Sequence, residues 1–389
     1  MYKIRTYNQI AAKGLDVFPR GKYEIASEFI SPDAIMLRSQ SLHEIELPES
    51  VCAVARCGAG VNNIPVADYS QKGVVVFNTP GANANAVKEL VLAGMLLASR
   101  DIVGGMNYSQ SLKHIDDHKE MSRQVEAAKK NFAGGEIAGK TLGVIGLGAI
   151  GSMVANMAIE LGMDVVGFDP ALSVEAAWSL SSRVERMENL QTLLSRADFI
   201  TVHVPAIDAT RHLLNAETLA FCKPGAVLLN FARESIVDLD GLLAGLKAGQ
   251  LSKYVADFPS PELLGNENIL LMPHLGASTS EAEENCAVMA ANQLIDFLEN
   301  GNIRNSVNFP KTRMDRMGGY RITICNENFS GVLGHVLSLL ADAKINVIDM
   351  VNKSRETLAY NIIDVEQQPD SDLLKAIESV DGVVRVRLL

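Results

Sequence analysis

A basic surplus is the first thing this 389-residue chain lacks: 35 Lys and Arg stand against 46 Asp and Glu, a net charge of −11. That balance argues against a nucleic-acid or anionic-membrane partner, because both need a dense positive surface. An anionic small molecule is still open to it through a local cluster of basic residues. Patterned cysteine is also missing. Cys52, Cys57, Cys222, Cys286 and Cys325 show neither CxxC nor Cys/His spacing, so no metal site is expected and reduced, buried thiols in a cytoplasmic protein are. The opening MYKIRTYNQI has no apolar signal-peptide core. The longest apolar run, LVLAGMLLA between Glu89 and Ser99, is about half the roughly 20 residues that a membrane span requires, and reads as a buried helix.

What is present is ordinary globular composition, 48% hydrophobic and 21% charged, in a chain long enough for two or three domains. Short strand-like runs (KIRTY, AIMLRS, VCAVARCGAG, VVVFNTPG) alternate with helical intervals over the first hundred residues, which predicts an α/β lobe with a parallel sheet. A second, larger α/β lobe is expected from about Thr141 to Met272. Residues 281–300 read as one helix stopped by Gly301 and able to cross back to the first lobe. The expected division is a first lobe over 1–97 completed by 281–310, a nucleotide lobe over 98–280, a linker over 311–318 and a tail over 319–389. The tail's βαββαβ order is that of a ferredoxin-like module.

The most specific stretch is KTLGVIGLGAIGSMVANMAIELGMDVVGFD, Lys140 to Asp169. A strand, three spaced glycines, an amphipathic helix, a second strand and a terminal acid follow one another as a dinucleotide-binding βαβ unit does. Gly146 permits the turn out of the strand, Gly148 leaves room for a pyrophosphate, and Gly151 lets the helix approach the sheet. Asp169 is placed to accept hydrogen bonds from a ribose diol. No Lys or Arg follows before Glu175, so a 2′-phosphate is repelled and NAD is favoured over NADP.

Three further segments carry chemistry that a nucleotide fold alone does not need: NFAR at 230–233, PSPEL at 259–263 and MPHLGAS at 272–278. Hydride loss from C2 of a 2-hydroxy acid calls for a base for the hydroxyl proton and a fixed cation for the carboxylate. His274 and Arg233 suit those tasks, and Glu262 is the acid able to orient the imidazole. Taken singly, each has a bland alternative: a surface ion pair, a solvated loop acid or a loop histidine. Their order after the fingerprint, each beyond a strand of one lobe, favours a shared site. His203, in VHVPA, reads as a strand-end residue near the cofactor.

GKTLGVIGLGAIG, HVPAIDAT, NFARESIVD, the Asp257 to Glu262 loop and PHLGAST together resemble the D-isomer-specific 2-hydroxyacid dehydrogenases over nearly all of residues 1–310. The resemblance implies that Arg233 holds substrate, Glu262 partners His274, and His274 is the acid/base. It also implies that Ala149, Ile150, Val204, Pro205, Thr210, Phe231, Ala232, Asp257, Gly276 and Ala277 surround NAD beside the fingerprint residues. ARCGAGVNN resembles the family's substrate-carboxylate loop, with backbone N–H groups at Gly58, Ala59 and Gly60, and leaves Arg38 and Arg56 for a substrate phosphate. The tail resembles an ACT domain, which makes Asn326, Asn328 and Asn346 effector positions and a homodimer or homotetramer the expected assembly. Asparagine at 326 and Ser330 depart from the histidine and proline of serine-regulated members, which implies weak or absent serine inhibition. Within the family, the tail-bearing members imply NAD-dependent oxidation of a phosphorylated substrate, D-3-phosphoglycerate. A glyoxylate or hydroxypyruvate reductase and an NAD-gated sensor without catalysis are the alternatives.

Overall fold

The computed structural model describes residues 1–389 apart from the side chain of Glu175. The chain forms two compact units, Met1–Asn83 with Ser280–Leu389, and Ala84–Thr279. The central strands of both α/β sheets, such as Ala34–Leu37, Phe199–Val202 and Ala226–Asn230, are short, largely apolar runs buried on both faces, as helix-covered parallel strands must be.

In the first unit the strands run in the order Tyr23–Ala26, Tyr2–Tyr7, Ala34–Leu37, Ala53–Arg56 and Val75–Phe77, all parallel. Its long helix is Ser280–Asn300, ended by Gly301 at φ +70°. Ala287, Ala290, Leu294, Phe297 and Leu298 repeat at helical spacing and face the core with Ile4, Met36 and Phe77. Against the short Ala12–Leu15 helix the approach is so close that a Cβ on Gly14 would lie 2.3 Å from the Ala287 methyl group, which only glycine permits.

The tail forms a four-stranded antiparallel sheet in the order Val347–Arg355, Leu358–Val365, Tyr320–Glu327 and Val383–Leu388. Alternation gives this sheet two buried faces. Ile322, Ile324, Ile363 and Val365 pack on Val336, Leu340 and Ile377 of the tail's own helices. Cys325, Tyr360 and Ile362 point the other way and belong to the core of the first lobe. The segment expected as a spacer is therefore packed. Ile303 and Thr312 exchange backbone hydrogen bonds of 2.8 and 2.9 Å, and the buried Met314 donates its N–H to Asn302 Oδ1 at 3.1 Å. Its polar composition conceals this, because the pairing partners lie outside the segment.

The second unit holds seven parallel strands in the order Ile269–Leu271, Leu251–Ala256, Ala226–Asn230, Phe199–Val202, Thr141–Ile145, Asp164–Phe168 and Glu185–Arg186. The apolar run read from the sequence lies in the Ala84–Ser99 helix of this unit, with Val91, Gly94 and Met95 buried. Strand order reverses around Thr141–Ile145. In an open parallel sheet, ligands gather at such a switch point, beyond the carboxyl ends of the strands. Among the described residues no helix is long and apolar enough to cross a membrane.

Candidate active site

The fingerprint turn sits at that switch point. Gly146 has φ +87°, and a Cβ there would lie 2.8 Å from the His203 carbonyl group. On Gly151 a Cβ would fall 1.9 Å from the Gly146 oxygen, so both positions require glycine. Gly148 differs: its missing Cβ would face open space, as a backbone approached by a diphosphate must. The helix Ala149–Glu160 starts directly after it with no side-chain cap, which leaves the first-turn N–H groups of Ala149 and Ile150 and the positive end of the helix dipole toward an anion. Asp169 directly follows the next strand, Asp164–Phe168. Its Oδ2 accepts from Leu147 N–H at 2.8 Å and its Oδ1 from Ala171 N–H at 2.9 Å, so the acid also ties down the glycine turn. A carboxylate has about four acceptor sites, and two remain for a ribose diol. These residues fit a dinucleotide.

His203 closes the floor of the turn, its N–H donating to Ile145 O at 2.7 Å. Burial pushes its imidazole down to about 3, so it is neutral, and its Nε2 meets Thr201 Oγ1 at 2.9 Å. Val204 lies against Gly146, and Thr210 pins the following loop by donating to Pro205 O and accepting from Ile207 N–H at 3.0 Å.

The next three strands, outward from the switch point, lead to the segments in which the sequence places its candidate chemistry. Beyond Ala226–Asn230, the fully buried Asn230 shapes the Phe231–Ala232–Arg233 turn: its Oδ1 accepts from Ala232 N–H at 3.1 Å and its Nδ2 donates to Arg233 O at 2.9 Å. Arg233 is exposed, with Nη1 on Ala232 O at 2.6 Å. Asn230 was visible in NFAR only as a neighbour of the arginine; its role needed its burial.

Beyond Leu251–Ala256 comes Asp257, 1% exposed. Both of its oxygens are taken by the histidine loop, accepting from Leu275 N–H and Gly276 N–H at 2.7 Å each, while its carbonyl accepts from His274 N–H at 3.1 Å. A position assigned by resemblance to the cofactor's surroundings thus also fixes the loop that carries His274. His274 itself is exposed, has φ +58° and packs its ring on Phe258 at 5.3 Å between centroids. Glu262 is not brought to it. Its own backbone N–H and the Ser260 hydroxyl bind the Glu262 carboxylate and hold its pKa below the ordinary value.

Residues 106–276 match the family described as D-isomer specific 2-hydroxyacid dehydrogenase, NAD binding domain. A D-3-phosphoglycerate dehydrogenase of Haemophilus influenzae is 32% identical over 358 residues, which cover 89% of this chain and 83% of that protein. The chain belongs to the D-isomer-specific 2-hydroxyacid dehydrogenases. It is an NAD-dependent enzyme of that class. Another relative of the same name, from Methanocaldococcus jannaschii, is 33% identical over 85% of this chain, which spans only 61% of that longer protein. Among solved structures, an NAD⁺-bound 3-phosphoglycerate dehydrogenase of Entamoeba histolytica aligns with a TM-score of 0.61 at 25% identity, covering 79% of this chain and 98% of that one.

In the dehydrogenase's first unit, the ARCGAG loop is held by its own arginine. Arg56 donates from Nε to Arg38 O at 3.0 Å and from Nη1 to Gly60 O. The Gly58 N–H is already used, on Arg56 O at 2.9 Å, whereas Ala59 and Gly60 N–H have no partner among the described residues. Arg38 is paired with Glu283 at 2.7 Å. In the tail, Asn326 is buried, accepting from Asn361 Nδ2 at 2.7 Å, and Asn361 Oδ1 accepts from Asn352 Nδ2 at 2.6 Å. Asn328 Nδ2 donates to Glu356 O at 3.0 Å. Asn346 lies elsewhere, before the first residue of Val347–Arg355, where its carbonyl accepts from Glu366 N–H.

Proposed function

We propose that the dehydrogenase oxidises D-3-phosphoglycerate to 3-phosphohydroxypyruvate, the entry step of serine synthesis. One arrangement carries the reading: the segments bearing Arg233, Asp257 and His274 follow three adjacent parallel strands, on the strand-end edge that also carries the glycine turn. NAD, when bound, supplies the acceptor for the hydride from C2. His274 takes the C2 hydroxyl proton as the carbonyl forms and returns it in the reverse direction. Arg233 binds the substrate carboxylate through its planar fork and draws charge onto the forming carbonyl oxygen. Glu262, ionised at neutral pH, serves as partner to the imidazolium once its carboxylate leaves Ser260. In the first unit, taken by itself, the Ala59 and Gly60 N–H groups suit a carboxylate, and Arg38, once it leaves Glu283, suits a phosphate.

The phosphorylated substrate is favoured over glyoxylate or hydroxypyruvate by the names of the similar proteins. A homodimer through the second unit is supported by the helices Ile102–Ser111 and His118–Ala128, which bury no residue and expose Val103 at 44% and Met106 at 64%. A further association through the tails is supported by its edge strand, which exposes Ile348 and Met350.

The test supplies NADH with phosphohydroxypyruvate, hydroxypyruvate or glyoxylate and follows the loss of reduced-nicotinamide absorbance. Phosphohydroxypyruvate should be preferred, and His274→Ala should lower its turnover by about 100-fold or more with NADH affinity nearly intact. Preference for an unphosphorylated acid moves the substrate to the alternative reductases. Absence of turnover with all three favours the sensor.

A further inference from the structure

His274 occupies left-handed backbone space, unusual for a residue with a Cβ, and the structure holds it there from one dipeptide. Asp257 provides the backbone anchorage: its carbonyl accepts from His274 N–H, and its carboxylate from the next two N–H groups at 2.7 Å. The ring is held by the neighbouring residue. Phe258 meets the imidazole edge to face, with centroids 5.3 Å apart and planes at 61°. Glu262, the residue expected to orient that ring, is turned onto Ser260 and its own N–H. An exposed side chain fixed only at its backbone samples several χ1 and χ2 states, so the aromatic contact is what restricts the imidazole in the free enzyme.

We propose that Phe258 is a positioning residue for His274, selecting the ring orientation from which the imidazole exchanges a proton with the substrate. The inference rests on His274 being the acid/base. Phe258 acts through it and touches no reacting atom. Its contribution is in kcat: substrate and cofactor are bound by other groups, whereas the fraction of enzyme with a correctly turned imidazole scales the chemical step.

The experiment combines kinetics with NMR of the full-length enzyme carrying ¹³C-labelled histidine, the His274 signal being assigned by its loss in His274→Ala. Phe258→Leu should lower kcat for phosphohydroxypyruvate reduction by about 3- to 10-fold, the range that an aromatic pair's extra attraction represents. KM values should stay within about 2-fold, and the ring-current displacement of the His274 signals should be lost. Phe258→Tyr, which retains the ring, should restore both. The Leu effect on kcat should vanish in a His274→Ala background. An equal loss of kcat in that background would overturn the proposal, since the effect would not pass through His274. So would lost ring-current displacement with unchanged kcat. If His274→Ala alone leaves turnover intact, the acid/base reading fails and the proposal with it, while the NMR comparison still reports whether the ring contact exists.

Discussion

Replacing Asp364 with Asn should loosen the tail from the first lobe while leaving the second unit alone. Arg321 is 1% exposed, and each of its five N–H groups has an acceptor. Nε and one Nη2 N–H bind the two Asp364 oxygens at 2.6 and 2.7 Å; the others reach Asn300 O and Met314 O at 2.9 Å and Asp315 O at 3.2 Å. One guanidinium thus joins the end of the long helix, the packed segment after it and two tail strands. Asparagine keeps the shape and removes the charge, so a buried cation is left without a counter-ion. Breaking such a pair from one side costs about 3–5 kcal/mol. Against a total stability of roughly 5–15 kcal/mol, that is a large fraction. Denaturant unfolding followed by far-ultraviolet circular dichroism should show an early transition, and hydrogen exchange should rise in peptides covering 300–327. The single tryptophan, Trp178, lies in the other unit and its fluorescence transition should stay in place. A loss below about 1 kcal/mol, or a Trp178 transition that shifts as far as the first unit's, would refute the reasoning.

Acid should destabilise the fold through His203, whose folded pKa of about 3 lies below the ordinary 6.5. The unfolded chain binds a proton between those values that the folded one refuses, so this stability is present above pH 6.5 and declines below it, by at most about 2 kcal/mol at pH 5. His203→Gln should flatten stability between pH 7 and 5; an unchanged slope would remove His203 as its source. Asp169→Ala should raise the ratio of NADP to NAD efficiency by about 10-fold or more through lost repulsion. It should also weaken NAD binding, because Leu147 N–H loses its acceptor; retention of both the original preference and NAD affinity would count against the assignment.

The nucleotide turn was legible in sequence because its requirements are local. Gly146 must take a positive φ within the turn itself, and Gly151 is excluded from bearing a Cβ by the Gly146 oxygen five residues back, so the spacing encodes that geometry. The long helix and the tail's βαββαβ order were legible for the same reason, since periodicity and glycine stops act within an element. Asp257 was legible as a site residue and illegible in its role. Its carboxylate is consumed by amides 18 and 19 residues away, a pairing that exists only once two parallel strands are side by side. The docked tail was hidden by symmetry of composition. Both faces of its sheet are apolar, and nothing in the alternation of Ile322, Ile324 and Cys325 tells which face meets its own helices and which meets another lobe.

The asparagines of the tail illustrate how topology constrains a reading that residue type leaves open. Asn326 stands opposite Ala359, whereas Asn346 immediately precedes Val347, which stands opposite Val365. From 359 to 365 along that strand is roughly 20 Å at about 3.4 Å per residue. One small ligand therefore cannot touch both side chains of a single tail. Asn326 is moreover occupied by Asn361, so a ligand there must replace a buried hydrogen bond of 2.7 Å with one at least as good. Contact with both positions therefore calls for two copies of the tail, each supplying one of the asparagines. Effector binding through these residues is thus inseparable from assembly. An enzyme kept from pairing its tails should lose any response that depends on both asparagines, and one that responds as a monomer must be using different residues.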